Sequence, residues 1–161
     1  MQELTRRRTN DHFQTWDIWY GDVQVGIIAQ QDWDPNPERS GIWKWSCGFY
    51  PLHRDECFRG EAREFDTARA GFDAAWKLFL PRRTEAEFEA SRREKQWTAN
   101  KYALWDAGYT AQIRRGEIHC PCGETFNPRF HEQTMAHISH VTGRAPGHVM
   151  DWNGVCAIFV R

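Results

Sequence analysis

The sequence predicts an α+β fold: a three-stranded antiparallel sheet covered by a helix (β-β-β-α), then a second helix and a small C-terminal unit. Three observations carry this expectation. Residues 14–50 alternate apolar and polar side chains at the strand period around a Gly-Asp dipeptide. Residues 65–79 place large apolar side chains at the helical period. Beyond residue 110 the chain gathers cysteines and histidines around a short turn.

Residues 1–12, with Arg6, Arg7 and Arg8, read as a flexible N-terminus, and residues 13–109 as the main domain. In QTWDIWYGDVQVGIIAQ, Gly21-Asp22 is a two-residue hairpin loop. It pairs Tyr20 with Val23, Ile18 with Val25 and Trp16 with Ile27 on one face, a register in which loop and apolar pattern agree. The third strand, IWKWSCGFY, places Trp43, Trp45, Cys47 and Phe49 on one side. Between the second and third strands, QDWDPNPERSG is a Pro/Asp-rich loop carrying Trp33.

The apolar face of such a sheet needs a cover. FDTARAGFDAAWKLFL supplies it with Phe65, Ala68, Phe72, Trp76 and Phe79 at helical spacing, and Pro81 stops the helix. A second helix opens where Thr84 and Glu87 form a capping box, and it ends near Gly108. Its apolar positions, Phe88, Trp97, Leu104 and Trp105, are sparse, so it is expected to be half exposed or to bridge to the C-terminal part.

The sheet's other face would show Thr15, Asp17, Trp19, Gln24, Gly26, Ile28, Lys44 and Ser46. One lysine against one aspartate is too little charge to meet phosphates, so this sheet is not expected to read a nucleic-acid groove. Trp19 and Ile28, with Trp33 in the loop, are the candidate protein-contact residues, and burial under a later helix is the alternative.

The C-terminal unit, residues 110–161, carries the chemistry. Cys120 and Cys122 lie in CPCGETF, where Pro121 and Gly123 favour a tight turn that aims both sulfurs inward. Asn127 suits a helix N-cap and Pro128 a first helical position. On that helix His137 and His140, at i and i+3, share a face, while His131 points about 120° away from His137 at about 100° per residue. Gly143 would end the helix. Two thiolates and two imidazoles are a ligand set that holds Zn2+ in a tetrahedron, so Cys120, Cys122, His137 and His140 are the expected metal ligands. His131 and His148 are alternatives for the fourth position. Cys47, Cys57 and Cys156 read as packing or free thiols.

The pattern C-x-C-x14-H-x2-H resembles the Cys2His2 zinc finger, a cysteine-bearing turn followed by a histidine-bearing helix. The resemblance covers 21 residues; Phe126 falls where that family places its core aromatic, and Met135 or Ile138 stands for its helical leucine. The spacings depart from the family's: one residue between the cysteines, fourteen before the first histidine, two between the histidines. The resemblance implies structural zinc, and it opens a DNA-reading alternative in which Arg129 and Gln133 on the helix, with Arg114, Arg115 and Arg144 around it, meet nucleic acid. Separately, WKWSCGFYP, FDTARAGFDAAWKLFLPRRTEAEF and WTANKYALWDAG resemble stretches of short alphaproteobacterial proteins. That likeness implies a bacterial cytosolic protein and brings no activity or fold.

The formal net charge of −1 gives the whole chain no pull on nucleic acid. The opening stretch lacks an apolar core and no apolar run is long enough for a bilayer, so neither a secretory leader nor a membrane span is expected. Five cysteines, an odd number, argue for reduced thiols in the cytoplasm. There is no phosphate-cradling glycine loop, nucleophile elbow or HExxH. The expected role is therefore a non-enzymatic binding or regulatory protein with another protein as partner. A nucleic-acid-binding regulator and a small zinc enzyme are its rivals. The apolar run Val155–Val160 reads as a last strand through which a homodimer could form.

Overall fold

The computed structural model describes residues 3–10, 14–30, 39–52 and 54–143. Trp33, Arg144, His148, Cys156 and the expected C-terminal strand lie outside the described residues. The architecture is α+β, with a five-stranded antiparallel sheet and four α-helices among the described residues. No helix among them is long and apolar enough to cross a membrane. The chain divides into two compact units, with a division between Ser91 and Arg92.

In the first unit the strands are β1 (Leu4–Asn10), β2 (Thr15–Tyr20), β3 (Val23–Gln30), β4 (Trp43–Cys47) and β5 (Phe58–Ala62), paired in chain order. Two of these extend the expected three. β1 falls in the segment read as flexible, and it is held by its ladder with β2, Leu4 opposite Tyr20 and Arg8 opposite Trp16. β5 closes the other side, with Phe58 opposite Cys47.

The β2–β3 turn is as expected: Gly21 takes a φ of 62° while Asp22 keeps a negative one, the signature of a type II′ hairpin. The register is not. Tyr20 pairs with Val23 and Trp19 with Gln24, but a bulge then sets Ile18 opposite Gly26 and Trp16 opposite Ile28. The extra residue, Val25, is fully buried. A one-residue shift exchanges the faces of everything beyond it. Gly26 and Ile28 therefore join the core instead of the open face, and Ile28 is a core residue, not a partner contact. Gly26 is required there, because a Cβ would lie 2.2 Å from the Ser46 carbonyl oxygen and 2.4 Å from the Phe72 ring.

Trp19 stays on the opposite face but is also buried, with the Arg7 guanidinium 4.8 Å above its ring. Its neighbour Asp17 is buried too, taking hydrogen bonds from the Thr9 hydroxyl and the Gln24 amide. Burial raises the Asp17 carboxyl above its ordinary 3.8, and the Thr9 hydrogen bond opposes the shift. Because the folded value exceeds the unfolded one, the fold keeps this proton in a window above pH 3.8 where the unfolded chain has released it. The group's contribution to stability is most favourable below that window and declines as pH rises through it. Asp17→Asn should abolish this decline and leave the first unit at least as stable at pH 7. Urea titrations at pH 4 and pH 7 would check it, and an Asn variant retaining the wild-type slope would contradict it.

The cover is α1 (Phe65–Phe79), whose Ala68, Phe72, Ala75, Trp76 and Phe79 are buried at helical spacing. Each aromatic so buried contributes about 2–3 kcal/mol. Trp43 meets Phe65 at 4.9 Å and Tyr20 meets Trp76 at 5.2 Å, mixing sheet and helix rings in one core. The Trp45 indole lies where a Cβ on Gly60 would come within 2.5 Å of it and one on Gly71 within 3.0 Å. Cys47 is fully buried on the same face, and burial, with Cys57 nearby, pushes its thiol up to about 12; it is an inert packing group.

A short 3₁₀ turn containing Pro81 (Leu80–Arg82) follows α1. α2 (Glu85–Asp106) then opens as expected, the Thr84 backbone N–H donating to Glu87 Oε2 at 2.6 Å. The Thr84 hydroxyl donates to the same oxygen, so Glu87 makes the closing contact of the box. Arg83, largely buried, bridges Glu56 at 3.2 Å and Glu87 at 3.0 Å.

Candidate metal centre

The second unit begins within α2 and continues through α3 (Thr110–Arg115), a hairpin of β6 (Ile118–His119) and β7 (Thr125–Phe126), and α4 (His131–Thr142). The turn from α2 to α3 uses Gly108 at a φ of 88°, as the sequence suggests. α3 itself was not expected, because six residues are too few to show a helical period. The unit's core is Leu104, Ile118, Cys120, Phe126 and Ile138, with Tyr109, Ile113 and Val141 packed on it. Ile138 is thus the helical apolar partner of Phe126. Met135 is half-buried, and the Asn100 amide donates to its sulfur at 3.1 Å. The Trp97 indole N–H reaches the Pro128 carbonyl at 3.2 Å, tying α2 to the segment before α4.

The hairpin positions the sulfurs. Ile118 pairs with Phe126, and Cys120 N–H donates to the Glu124 carbonyl at 2.8 Å. Gly123 N–H then donates to the Cys120 carbonyl at 2.9 Å, closing a four-residue turn with Pro121 second and Cys122 third. No non-glycine residue described has a positive φ, so the turn is type I, which favours proline at its second position and glycine at its fourth. One residue of separation therefore brings both sulfurs to the same side of a tight turn, as Pro121 and Gly123 suggest.

The helix positions the imidazoles. α4 starts at His131, later than the sequence suggests, because Asn127 spends its side chain on the Arg129 N–H in a turn ahead of the helix. Gln133 reaches back to accept the Asn127 N–H at 2.8 Å. Gly143, at a φ of 67°, ends α4 as expected. The one-turn spacing of His137 and His140 brings both rings to the hairpin. Cys120 Sγ is 3.5 Å from His140 Nδ1, and Cys122 Sγ is 3.5 Å from His137 Nδ1.

One donor atom from each of Cys120, Cys122, His137 and His140 lies within 4.8 Å of all the others, a group that could hold a metal ion. His131 is outside that group, with a buried Nδ1 of its own. Burial raises the Cys120 thiol above its ordinary value, and the neighbouring Cys122 and Glu124 charges act in the same direction. A cation at the site would have to displace that proton to gain the thiolate.

Phe126, the expected core aromatic, and Glu124, to which the sequence assigns no role, complete the site. Phe126 stacks on the His137 ring at 4.9 Å with planes 16° apart, fixing the ring's tilt. Glu124 places a carboxylate oxygen 3.4 Å from His137 Nε2, on the side of the ring away from Cys122. A carboxylate on the second nitrogen of a ligating histidine sets which nitrogen carries the proton and raises the basicity of the other. The turn could have revealed it, since Glu124 follows Cys122 by two and its backbone pairs with Cys120.

The residues considered for nucleic acid are dispersed over different elements. Arg114 and Arg115 are exposed at the end of α3, Arg129 is exposed in the turn before α4, and Gln133 has its carbonyl engaged by Asn127. Arg129 is therefore not on the helix that a finger would insert. No protein-family model, no curated protein and no solved structure matches this chain.

Proposed function

We propose that Cys120, Cys122, His137 and His140 hold a structural zinc ion and that the protein is a non-enzymatic module acting through protein contacts in the cytoplasm. The observation carrying the metal reading is the sulfur–nitrogen spacing of 3.5 Å in both Cys–His pairs. Zinc bonds of about 2.3 Å to sulfur and about 2.0–2.1 Å to nitrogen, at a tetrahedral angle, separate the two donors by about 3.6 Å. Two thiolates with two imidazoles are also the mixed soft and borderline set that suits zinc over magnesium or calcium.

Four protein donors fill a tetrahedral site, leaving no position for the water that a catalytic zinc activates. A staple is the better use of this geometry: a hairpin with two-residue strands shares a core of five buried side chains with α2 and α4, and a shared ion adds the binding energy such a small core lacks. The scattered arginines favour protein contacts over a finger-like grip on DNA.

The test is metal analysis of protein purified without added metal, joined to a salt-titrated binding assay with duplex DNA. One zinc per chain and no duplex binding at low salt are expected. Protein that neither retains nor takes up zinc would end the metal reading. Steeply salt-dependent duplex binding would replace the protein-contact reading with the nucleic-acid one.

A further inference from the structure

We infer that β1 is an acceptor edge for an acidic, extended segment of a partner protein, which adds to the sheet as a further antiparallel or parallel strand. This rests on the protein-contact reading above but not on its metal, since all of it lies in the first unit.

β1 ends the sheet, so among the described residues one side of its backbone has no strand neighbour. An edge of this kind presents a row of N–H and C=O groups that a second chain can pair. Its sequence, LTRRRTN, contains three arginines and no acid. Arg6, Arg7 and Arg8 are all exposed, and no carboxylate described forms an ion pair with them. Arg7 stands opposite Asp17 in the ladder, yet it turns onto Trp19 while Asp17 keeps Thr9 and Gln24.

Two of the guanidiniums are held by rings. Arg6 lies 5.2 Å from the Trp16 ring and 5.7 Å from the Phe65 ring, on the α1 side of the sheet. Arg7 lies over Trp19 on the other side. Stacking consumes the face of a guanidinium and leaves its in-plane N–H donors for a carboxylate. Arg6 and Arg8, two residues apart, share one face of the strand, so acids at alternate positions of an added strand would meet them while its backbone pairs with the edge.

Charge selects a short acidic segment over a nucleic acid. Residues 1–91 hold twelve Lys and Arg against sixteen Asp and Glu, so the cationic stripe sits on an acidic unit. A polyanion extending beyond a Debye length of about 8–10 Å would meet that acidity, whereas a few carboxylates aligned with β1 meet the arginines alone.

The probe is a fluorescein-labelled eight-residue peptide of alternating glutamate and valine, followed by anisotropy at low salt with the full chain. Saturable binding that fades with added salt is expected. It should weaken at least about tenfold in the triple variant R6Q/R7Q/R8Q and about threefold in Arg8→Gln, which leaves the ring contacts of Arg6 and Arg7 in place. The Arg8 variant keeps the test decisive should the triple one fold poorly. The same peptide with an N-methyl group on every amide should lose binding, and oligodeoxythymidylate should not displace the unmethylated peptide. Zinc-stripped protein should bind the peptide as well as zinc-loaded protein does, separating this inference from the metal reading. No binding of the glutamate peptide, equal binding of its N-methylated form, or displacement by the oligonucleotide would each overturn it.

Discussion

Cys120→Ser should lose stoichiometric zinc and, with it, the fold of the second unit, while the first unit stays intact. Cys120 is both one of the four clustered Cys/His side chains and a member of the core with Phe126 and Ile138, so its loss acts on both. Structural zinc supplies about 10–16 kcal/mol in finger-sized units, more than a domain's usual margin of about 5–15 kcal/mol. A serine oxygen does not replace a thiolate in such a set. Hydrogen exchange resolved by segment reads the outcome: amides of residues 118–142 should lose protection, and those of β2, β3 and β4 should keep it. Wild-type protein treated with a strong chelator should give the same pattern. Cys57→Ser, outside the donor group, should keep both zinc and protection. Full protection of α4 in the Cys120 variant would show that the unit stands without the ion.

Gly26→Ala should produce the converse pattern, destabilising the first unit by about 3 kcal/mol and leaving zinc content unchanged. The added methyl would sit 2.2 Å from the Ser46 carbonyl oxygen, a backbone atom with no rotamer by which to retreat. It would also press into Phe72, a ring buried at the centre of α1. Relief requires the β3–β4 ladder or α1 to move, and close-packed cores resist such shifts. A loss of this size lowers the melting temperature of a unit near 90 residues by roughly 15 °C. Calorimetry should show one transition moving and the other staying. A shift below about 2 °C would mean that the bulge and the Gly26 contact are not as described.

The parts of this structure visible in the sequence are those dictated by neighbours in the chain. The Gly21-Asp22 turn, the aromatic stripe of α1, the Thr84–Glu87 helix start and the Cys/His spacing each arise from residues a few positions apart. The four donors were legible because a type I turn and a single helical turn are both local geometry. What escaped depended on distant partners. The bulge at Val25 brings Gly26 against Phe72, which lies on a helix some forty residues later. With that shift unseen, Ile28 was assigned to the wrong face. β1 carries arginines where a strand pattern would show apolar residues, and the rings beneath them come from Trp16, Trp19 and Phe65. β5 has Gly60 at its centre, which weakens strand propensity, and it makes sense only with the Trp45 indole lying across it.

That indole also limits how this chain can change over generations. With a Cβ on Gly60 excluded at 2.5 Å and one on Gly71 crowded at 3.0 Å, the three positions are bound to one another although they lie on β4, β5 and α1. A side chain can arise at position 60 only where the Trp45 indole shifts or is replaced, and replacing it first uncovers the part of the core on which it packs. Substitution at these sites is therefore an ordered, coupled event, and β5 is inherited together with the tryptophan that it receives.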